Sequence, residues 1–163
     1  MNDHRNKRSD GFTVAELITV VAIVAILATV AMPLANFGIR RQKEIELHER
    51  LRRITEAIDR FHELALQQAG SPAAMKEPVS IEQGPWPKDL ESMTKPIALN
   101  SGQSVRLLRE RDLIDPMTGR AEWITLSADD EADTQSTNSH NVYEIHSKST
   151  AMALDGKTHY NEW

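Results

Sequence analysis

The sequence predicts an α+β protein in which a long N-terminal α-helix packs on a small antiparallel β-sheet domain. The helix is predicted by an apolar run over residues 17–35 and by a helical repeat of apolar side chains that extends it to residue 69. The sheet is predicted by two short segments of alternating, β-branched character at residues 122–127 and 141–147. One long helix followed by short strands is typical of the α+β class.

The apolar run is long enough to cross a lipid bilayer. Residues 17–35 contain no charged side chain, and about 20 such residues in a helix span roughly 30 Å of hydrocarbon. A buried core helix is the alternative, but the rest of the chain has little apolar sequence with which to surround it. A secretory signal peptide has a shorter apolar region, of about 7–15 residues, before a small-residue cleavage site. That class fits poorly because this run is longer and no such cleavage site follows it. Near its end stands Pro33, and after it come Asn36 and the basic pair Arg40 and Arg41.

Glu16 stands at the start of the apolar run, shortly after a basic leader. A carboxylate at the edge of a bilayer is costly and usually has a function or a partner. Gly11, which has no Cβ, leaves the backbone free to enter a protease cleft in extended form. Cleavage after Gly11 would leave a positively charged amine on Phe12, about one helical turn from Glu16. Glu16 is therefore either solvated at the headgroup level or paired with such an amine, its own or that of a neighbouring subunit.

The sequence Gly-Phe-Thr-Val-Ala-Glu-Leu at residues 11–17, with the apolar run behind it, resembles the N-terminal signature of type IV pilins and type II secretion pseudopilins. In that family a prepilin peptidase cleaves after the glycine and methylates the new N-terminal phenylalanine. The resemblance implies that Gly11 and Phe12 form the processing site and that Glu16, in the place of the family's hallmark glutamate, acts in assembly. Pro33 falls where the family usually has a proline that kinks the helix.

The resemblance also implies a pilin-like fold in four parts. Residues 1–11 are a prepilin leader that is removed, and residues 12–35 are a transmembrane helix that later forms a filament core. Residues 36–69 continue this helix as an amphipathic segment, and residues 70–163 form a periplasmic globular domain with a small β-sheet. A helix over residues 12–69 would be about 87 Å long, which no domain of this size needs for its own core.

The amphipathic segment carries an apolar stripe that predicts a packed helix face. Its members recur at alternating steps of four and three: Leu47, Leu51, Ile54, Ile58, Phe61 and Ala65. The stripe can face the chain's own domain or neighbouring subunits. Opposite charges four residues apart support the helix, and the pairs are Glu46/Arg50, Glu49/Arg53, Arg52/Glu56 and Glu56/Arg60. His48 and His62 are interpreted as residues of the polar side, and the helix is expected to end at the Gly-Ser-Pro of residues 70–72.

The domain beyond the helix is less regular. Its first part is rich in turn formers, with a short helix expected near residues 88–93 and a further helical turn or two within residues 105–113. The sequence Asp-Pro-Met-Thr-Gly at residues 115–119 predicts a turn. Residues 128–140 are interpreted as an exposed acidic loop, and residues 150–154 are a candidate third strand.

The chain is acidic and contains no cysteine. The net charge of −5 becomes −6 without the leader, which carries three basic and two acidic residues. From Gly70 onward there are nine Lys and Arg against fifteen Asp and Glu. This acidity argues against nucleic acid as a partner, because nucleic acid requires a basic surface. Many type IV pilins close their C-terminal loop with a disulfide, so the lack of cysteine favours the pseudopilin branch.

The C-terminal part resembles the G-type major pseudopilin of type II secretion. The features that carry this resemblance are Trp86-Pro87 followed by Leu90, Asp115-Pro116 before a strand, Tyr143 with Ser147, Asp155-Gly156 and Trp163. In that group an aspartate-rich terminal loop holds a structural calcium ion, but here Asp155 is the only aspartate of the loop. Calcium prefers six to eight oxygen ligands, so Asp155 with Glu162 and backbone carbonyls would make a weak site. We expect no cofactor, and a loop held by the packing of Tyr160 and Trp163.

No recognisable catalytic motif supports an enzyme. His146, Ser147 and Asp155 contain the groups of a hydrolytic site, but no nucleophile elbow or glycine-rich phosphate loop surrounds them. The six histidines show no metal-ligand spacing. We therefore expect no catalytic residue.

The resemblance implies a structural subunit of the periplasmic pseudopilus in type II protein secretion. The leader lies in the cytoplasm, the helix crosses the bacterial inner membrane once, and the domain faces the periplasm until subunits enter a filament. The expected partners are further copies of the chain, other pseudopilins, prepilin peptidase, the inner-membrane assembly platform and the lipid bilayer. A type IV pilus pilin, major or minor, is the first alternative. An uncleaved membrane-anchored binding module, which would not need Glu16, is the second.

Overall fold

The computed structural model of the chain describes residues 12–130 and 140–163. Gly11 and the rest of the predicted leader lie outside the described residues, as do Glu131 and Asp133 of the predicted acidic loop. The chain divides into two units, residues 1–40 and 41–163. One α-helix, α1 (Val14–Ala65), contributes residues to both units.

The helix predicted for residues 12–69 is confirmed except at its ends. At the C-terminal end α1 stops at Ala65, about one turn before the predicted end. The amide of Leu66 still donates to the His62 carbonyl at 3.0 Å, but the amide of Gln67 donates to the Leu64 carbonyl at 3.4 Å. The second bond reaches back three residues instead of four, as in a 3₁₀ turn. Such a tightened last turn is a common way to satisfy the carbonyls at a helix end.

Pro33 lies inside α1. Proline has no amide hydrogen, so the Thr29 carbonyl loses the donor that a regular helix would supply. The Thr29 hydroxyl turns back within the same stretch and donates to the Ile26 carbonyl at 2.6 Å. The helix continues through Pro33, and a kink at this residue stays a prediction.

In the second unit α1 packs on the globular domain through the predicted apolar stripe. Leu47, Ile54, Ile58 and Phe61 are buried, which confirms that the stripe faces the chain's own domain. The main core joins this helix face to the loops and the sheet, and its buried members are Ile54, Ala57, Ile58, Phe61, Leu90, Met93, Leu108, Leu113, Val142 and Ile145. Burial of this apolar surface is the main favourable contribution to the stability of the domain.

The described strands form two separate two-stranded antiparallel sheets. Strand β1 (Ile97–Ala98) pairs with β2 (Ser104–Val105), and β3 (Trp123–Leu126) pairs with β4 (Glu144–Ser147). The last two strands lie within the two segments predicted from alternation, so these strands are confirmed. The β1–β2 hairpin was not predicted, because strands of two residues carry too little alternation to be recognised.

The predicted third strand at residues 150–154 is wrong. In its place the structure has one isolated bridge between Met152 and His159. The segment folds on itself, since the Ala153 amide donates to the Thr158 carbonyl at 2.9 Å. A short hairpin therefore satisfies these backbone groups without joining the sheet.

The predicted helical turns of the domain are shorter than expected. The helix expected near residues 88–93 is a 3₁₀ turn at Ser92–Thr94, whose first amide donates to the Asp89 carboxylate at 2.7 Å. Of residues 105–113 only Glu110–Leu113 form a second 3₁₀ turn.

The turn predicted at residues 115–119 is confirmed, and it is tied to the sheet. Gly119 has a φ of +71°, which only glycine adopts at no steric cost. Asp115 is fully buried; it accepts a hydrogen bond of 2.7 Å from the Met117 amide and another of 2.7 Å from the Ser147 hydroxyl. The buried carboxylate thus fixes the turn against β4.

Asp112 connects the second 3₁₀ turn to α1. Its side chain is 6 % exposed, and its Oδ1 lies 2.9 Å from a guanidinium nitrogen of Arg50 and 2.9 Å from one of Arg53. The Arg109 amide donates to Oδ2 at 3.1 Å, and Arg50 also donates to the Arg111 carbonyl at 2.7 Å. Two arginines predicted to make only helical pairs with glutamates therefore also hold a loop against the helix.

Three of the predicted charge pairs on the helix are confirmed, at Glu46/Arg50, Glu49/Arg53 and Arg52/Glu56. The pair expected between Glu56 and Arg60 is wrong, because Arg60 contacts Glu63 instead. Exposed pairs of this kind contribute little on their own.

Asp112 should make the stability of the domain depend on pH. Burial alone would raise the pKa of Asp112, but hydrogen bonds from Arg53 and Arg109 and the charges of Arg53 and Arg50 lower this pKa below its usual 3.8. A pKa that is lower in the folded state means that the ionised carboxylate stabilises the fold at higher pH. That stabilisation is lost as the pH falls through the depressed folded value.

We expect the unfolding free energy of the wild-type chain to fall more steeply below about pH 4 than that of Asp112→Asn. The comparison isolates Asp112 from other acidic groups, including Asp155. Urea unfolding in detergent can be followed by tryptophan fluorescence, since Trp86, Trp123 and Trp163 all lie in the second unit. Parallel pH profiles of the two proteins would contradict the assigned role.

Candidate membrane and assembly surface

The N-terminal part of α1 exposes an uninterrupted apolar surface. All described residues of the first unit are solvent-exposed, including Phe12 (84 %), Ile26 (67 %) and Met32 (73 %). Within the described residues α1 is the one helix long and apolar enough to cross a membrane, and its most apolar window is not buried at all. Apolar surface on this scale is unfavourable in water and indicates a lipid or protein environment.

Thr13 and Glu16 form a capping box at the start of this helix. The amide and the hydroxyl of Thr13 each donate to Glu16 Oε2 at 3.1 Å. The Glu16 amide donates in return to the Thr13 hydroxyl at 3.3 Å. The two residues therefore satisfy each other's backbone amides, which a helix start otherwise leaves without partners.

This arrangement leaves part of the Glu16 carboxylate available. No hydrogen bond reaches Glu16 Oε1 from the residues that the structure describes. The negative charge also lies in the first turn of α1, where it is favoured by the helix dipole. Glu16 can thus cap its own helix and at the same time accept from a cation outside it. Sequence reasoning identified Glu16 but missed Thr13, although the Thr-x-x-Glu spacing is itself a capping-box signal.

Thr13→Val should loosen the first turn of α1. The substitution keeps the β-branched shape but removes the hydroxyl, and the loss of such a cap costs about 1 kcal/mol. Hydrogen exchange of the Glu16 and Leu17 amides, which donate to the hydroxyl and the carbonyl of Thr13, should become about five-fold faster in detergent micelles. Thr13→Ser retains the hydroxyl and should keep the wild-type rates. Equal protection in the Val and Ser variants would show that the capping box does not stabilise this turn.

The groups of the hydrolytic site considered above have separate structural partners. His146 Nδ1 lies 2.7 Å from the Trp163 carbonyl oxygen, and the Ser147 hydroxyl donates to Asp115. Asp155 Oδ2 accepts from the Thr158 hydroxyl at 2.8 Å. The described contacts therefore do not bring His146, Ser147 and Asp155 into one hydrogen-bonded set.

The carboxylates considered for calcium serve local turns. Asp155 Oδ1 accepts from the amides of Lys157 at 2.8 Å and Thr158 at 3.1 Å. These backbone hydrogen bonds lower the pKa of Asp155. Glu162 accepts from the His159 amide at 3.1 Å. Among residues 12–130 and 140–163 no three His, Cys, Asp or Glu side chains are close enough together to hold a metal ion.

Packing of Tyr160 and Trp163 in the C-terminal loop is confirmed. Tyr160 is fully buried, and its ring meets that of Trp163 edge to face at 5.1 Å. Of the two helix histidines interpreted as polar-side residues, His48 is exposed and His62 is half-buried. Each also stacks on a tryptophan, His48 on Trp163 at 4.2 Å and His62 on Trp86 at 3.8 Å. Each histidine directly follows a stripe residue, so position at the stripe edge was the only signal available in the sequence.

The described residues thus comprise an exposed apolar helix start, a capped glutamate and a small α+β domain. No family model, curated protein or solved structure matches the chain. Its function is therefore inferred from its own residues.

Proposed function

We propose that the chain is a structural subunit of a periplasmic pseudopilus in type II protein secretion, with a pilin-like fold. The observation that carries the proposal is the exposed apolar surface that runs from Phe12 into the start of α1, with Glu16 in the first turn of the helix. Such a surface needs lipid before assembly and neighbouring helices after it. A filament core supplies the second environment.

Glu16 favours a filament over a simple anchor. A helix that only anchors a domain gains from Glu16 no more than the capping box and the favourable interaction with the helix dipole, and it still bears the cost of a charge at the bilayer edge. The carboxylate is useful if a cation approaches it, and cleavage after Gly11 would create one on Phe12. Pairing between subunits would favour the correct register, because a displaced subunit would leave both charges without partners.

The proposed sequence of events begins in the bacterial inner membrane. The chain inserts once, with the leader in the cytoplasm and the domain in the periplasm. Prepilin peptidase cleaves between Gly11 and Phe12 and methylates the new amine. The assembly platform then moves subunits from the bilayer into a filament of this chain and other pseudopilins.

The intact mass of the protein from its native membranes, with N-terminal peptide mapping, tests the proposal. A chain that begins at Phe12 with one added methyl group is the expected result. A chain that still begins at Met1 would contradict the proposal and support the membrane-anchored binding module.

A deletion strain distinguishes the two filament systems. Loss of exoprotein secretion with surface pili retained is expected for a pseudopilin. Loss of surface pili with secretion retained would support a type IV pilin instead. Complementation with the wild-type gene is the control for effects on neighbouring genes.

A further inference from the structure

The chain's last residues, 151–163, form a hairpin that is hydrogen-bonded within itself. The Ala153 amide donates to the Thr158 carbonyl at 2.9 Å, and the Tyr160 amide donates to the Ala151 carbonyl at 3.2 Å. The Trp163 indole adds a bond of 3.0 Å to the Thr158 hydroxyl. We call this segment the C-terminal hairpin.

Glu44 of α1 holds this hairpin against the helix through hydrogen bonds. Its Oε1 accepts from the Leu154 amide at 2.7 Å and from the Tyr160 hydroxyl at 2.8 Å. One carboxylate oxygen thus binds both arms of the hairpin. Trp163 stacks on His48, one turn further along the helix, with an interplanar angle of 12°.

The apolar contacts beneath the hairpin are separate from the main core. Leu47, Ala153 and Tyr160 form their own buried cluster. Among the described residues, those that pack against both clusters are Leu51 and Trp123, which are partly buried. A small cluster with few shared members can open at a lower free energy than the core.

We propose that the C-terminal hairpin acts as a latch: it separates from α1 as one unit while the core of the domain stays folded. The two hydrogen bonds to Glu44 hold it closed. The hairpin can keep its internal hydrogen bonds when it moves, so opening breaks few bonds. The contacts that break include the bonds to Glu44, the Trp163–His48 stack and the bond between His146 and the Trp163 carbonyl.

Opening of the hairpin would uncover part of the α1 surface. Leu47 is fully buried beneath the hairpin, and opening exposes it together with the released Glu44 carboxylate. A neighbouring subunit would then meet an apolar side chain and an acceptor on this face of α1. That consequence rests on the proposed function, whereas the latch itself does not.

Amide hydrogen exchange resolved by NMR on the full chain in detergent micelles tests the latch. The Leu154 amide, bonded to Glu44, reports opening of the hairpin. The amide of Val142, a buried residue of the main core, donates to the Pro87 carbonyl at 2.8 Å and reports unfolding of the domain. In the wild-type chain the Leu154 amide should exchange at least about ten times faster than the Val142 amide. Equal rates would mean that the hairpin opens only when the domain unfolds, and would overturn the proposal.

Tyr160→Phe makes the test sharper. This substitution removes the hydroxyl bond to Glu44 but leaves the bond from the Leu154 amide in place. If the two bonds open together, the loss of one destabilises the closed hairpin, and the Leu154 amide should exchange about ten times faster. Tyr143→Phe alters the other tyrosine of the chain, which is 48 % exposed, and is the matched control. Unchanged Leu154 exchange in both Tyr160→Phe and Trp163→Ala would also overturn the latch. The result does not depend on filament formation.

Discussion

Glu16→Ala is expected to abolish incorporation of the chain into filaments while membrane insertion and leader cleavage stay largely intact. Insertion depends on the apolar run, and cleavage depends on the residues around Gly11, so neither requires the carboxylate. Assembly loses the partner of the Phe12 amine, which would be left uncompensated in an apolar surrounding. Filaments sheared from cells and the membrane fraction should be compared by immunoblotting.

Two further variants separate the charge of Glu16 from its capping role. Glu16→Gln keeps an oxygen that can accept from Thr13 but removes the charge, so it should also fail to assemble. Thr13→Val disrupts the capping box but keeps the charge, so it should assemble better than either Glu16 variant. Normal filaments from Glu16→Gln would refute the pairing hypothesis.

Asp112→Ala is expected to destabilise the domain strongly. It leaves Arg50 and Arg53 without the carboxylate that both contact at 2.9 Å. Removing one partner of a fully buried ion pair costs about 3–5 kcal/mol. We expect about 2–3 kcal/mol here, because the Arg53 side chain is 42 % exposed and water can replace part of the lost interaction.

Urea unfolding of the full chain in detergent, followed by tryptophan fluorescence, measures this loss. Glu56→Ala is the matched control, since Glu56 pairs with Arg52 at 3.7 Å and both side chains are mostly exposed. Its unfolding free energy should lie within about 0.5 kcal/mol of the wild-type value. If Asp112→Ala were no more destabilising than Glu56→Ala, Asp112 would not be what holds the loop to α1.

Local patterns predicted the helix, its buried stripe and the two strands of the larger sheet. Apolar residues that recur with a helical period, as from Leu47 to Phe61, predict that one face of the helix is packed. This prediction does not depend on which segment packs against that face. The Thr-x-x-Glu spacing at residues 13–16 is also a local signal for a cap, so Thr13 could have been identified without any tertiary information although it was missed. The end of the helix and the short 3₁₀ turns were predicted less well, because single turns gain little from their own residues.

The sequence by itself determined that α1 forms, that its N-terminal part needs an apolar environment, and that Glu16 stands in its first turn. Only the tertiary structure decided that Asp112 joins Arg50 and Arg53, and that Glu44 holds the C-terminal hairpin. The first set depends on neighbours within a helical turn or two, which the order of residues specifies directly. The second set joins residues 59 to 116 positions apart, and such pairs form only after the core has brought the segments together.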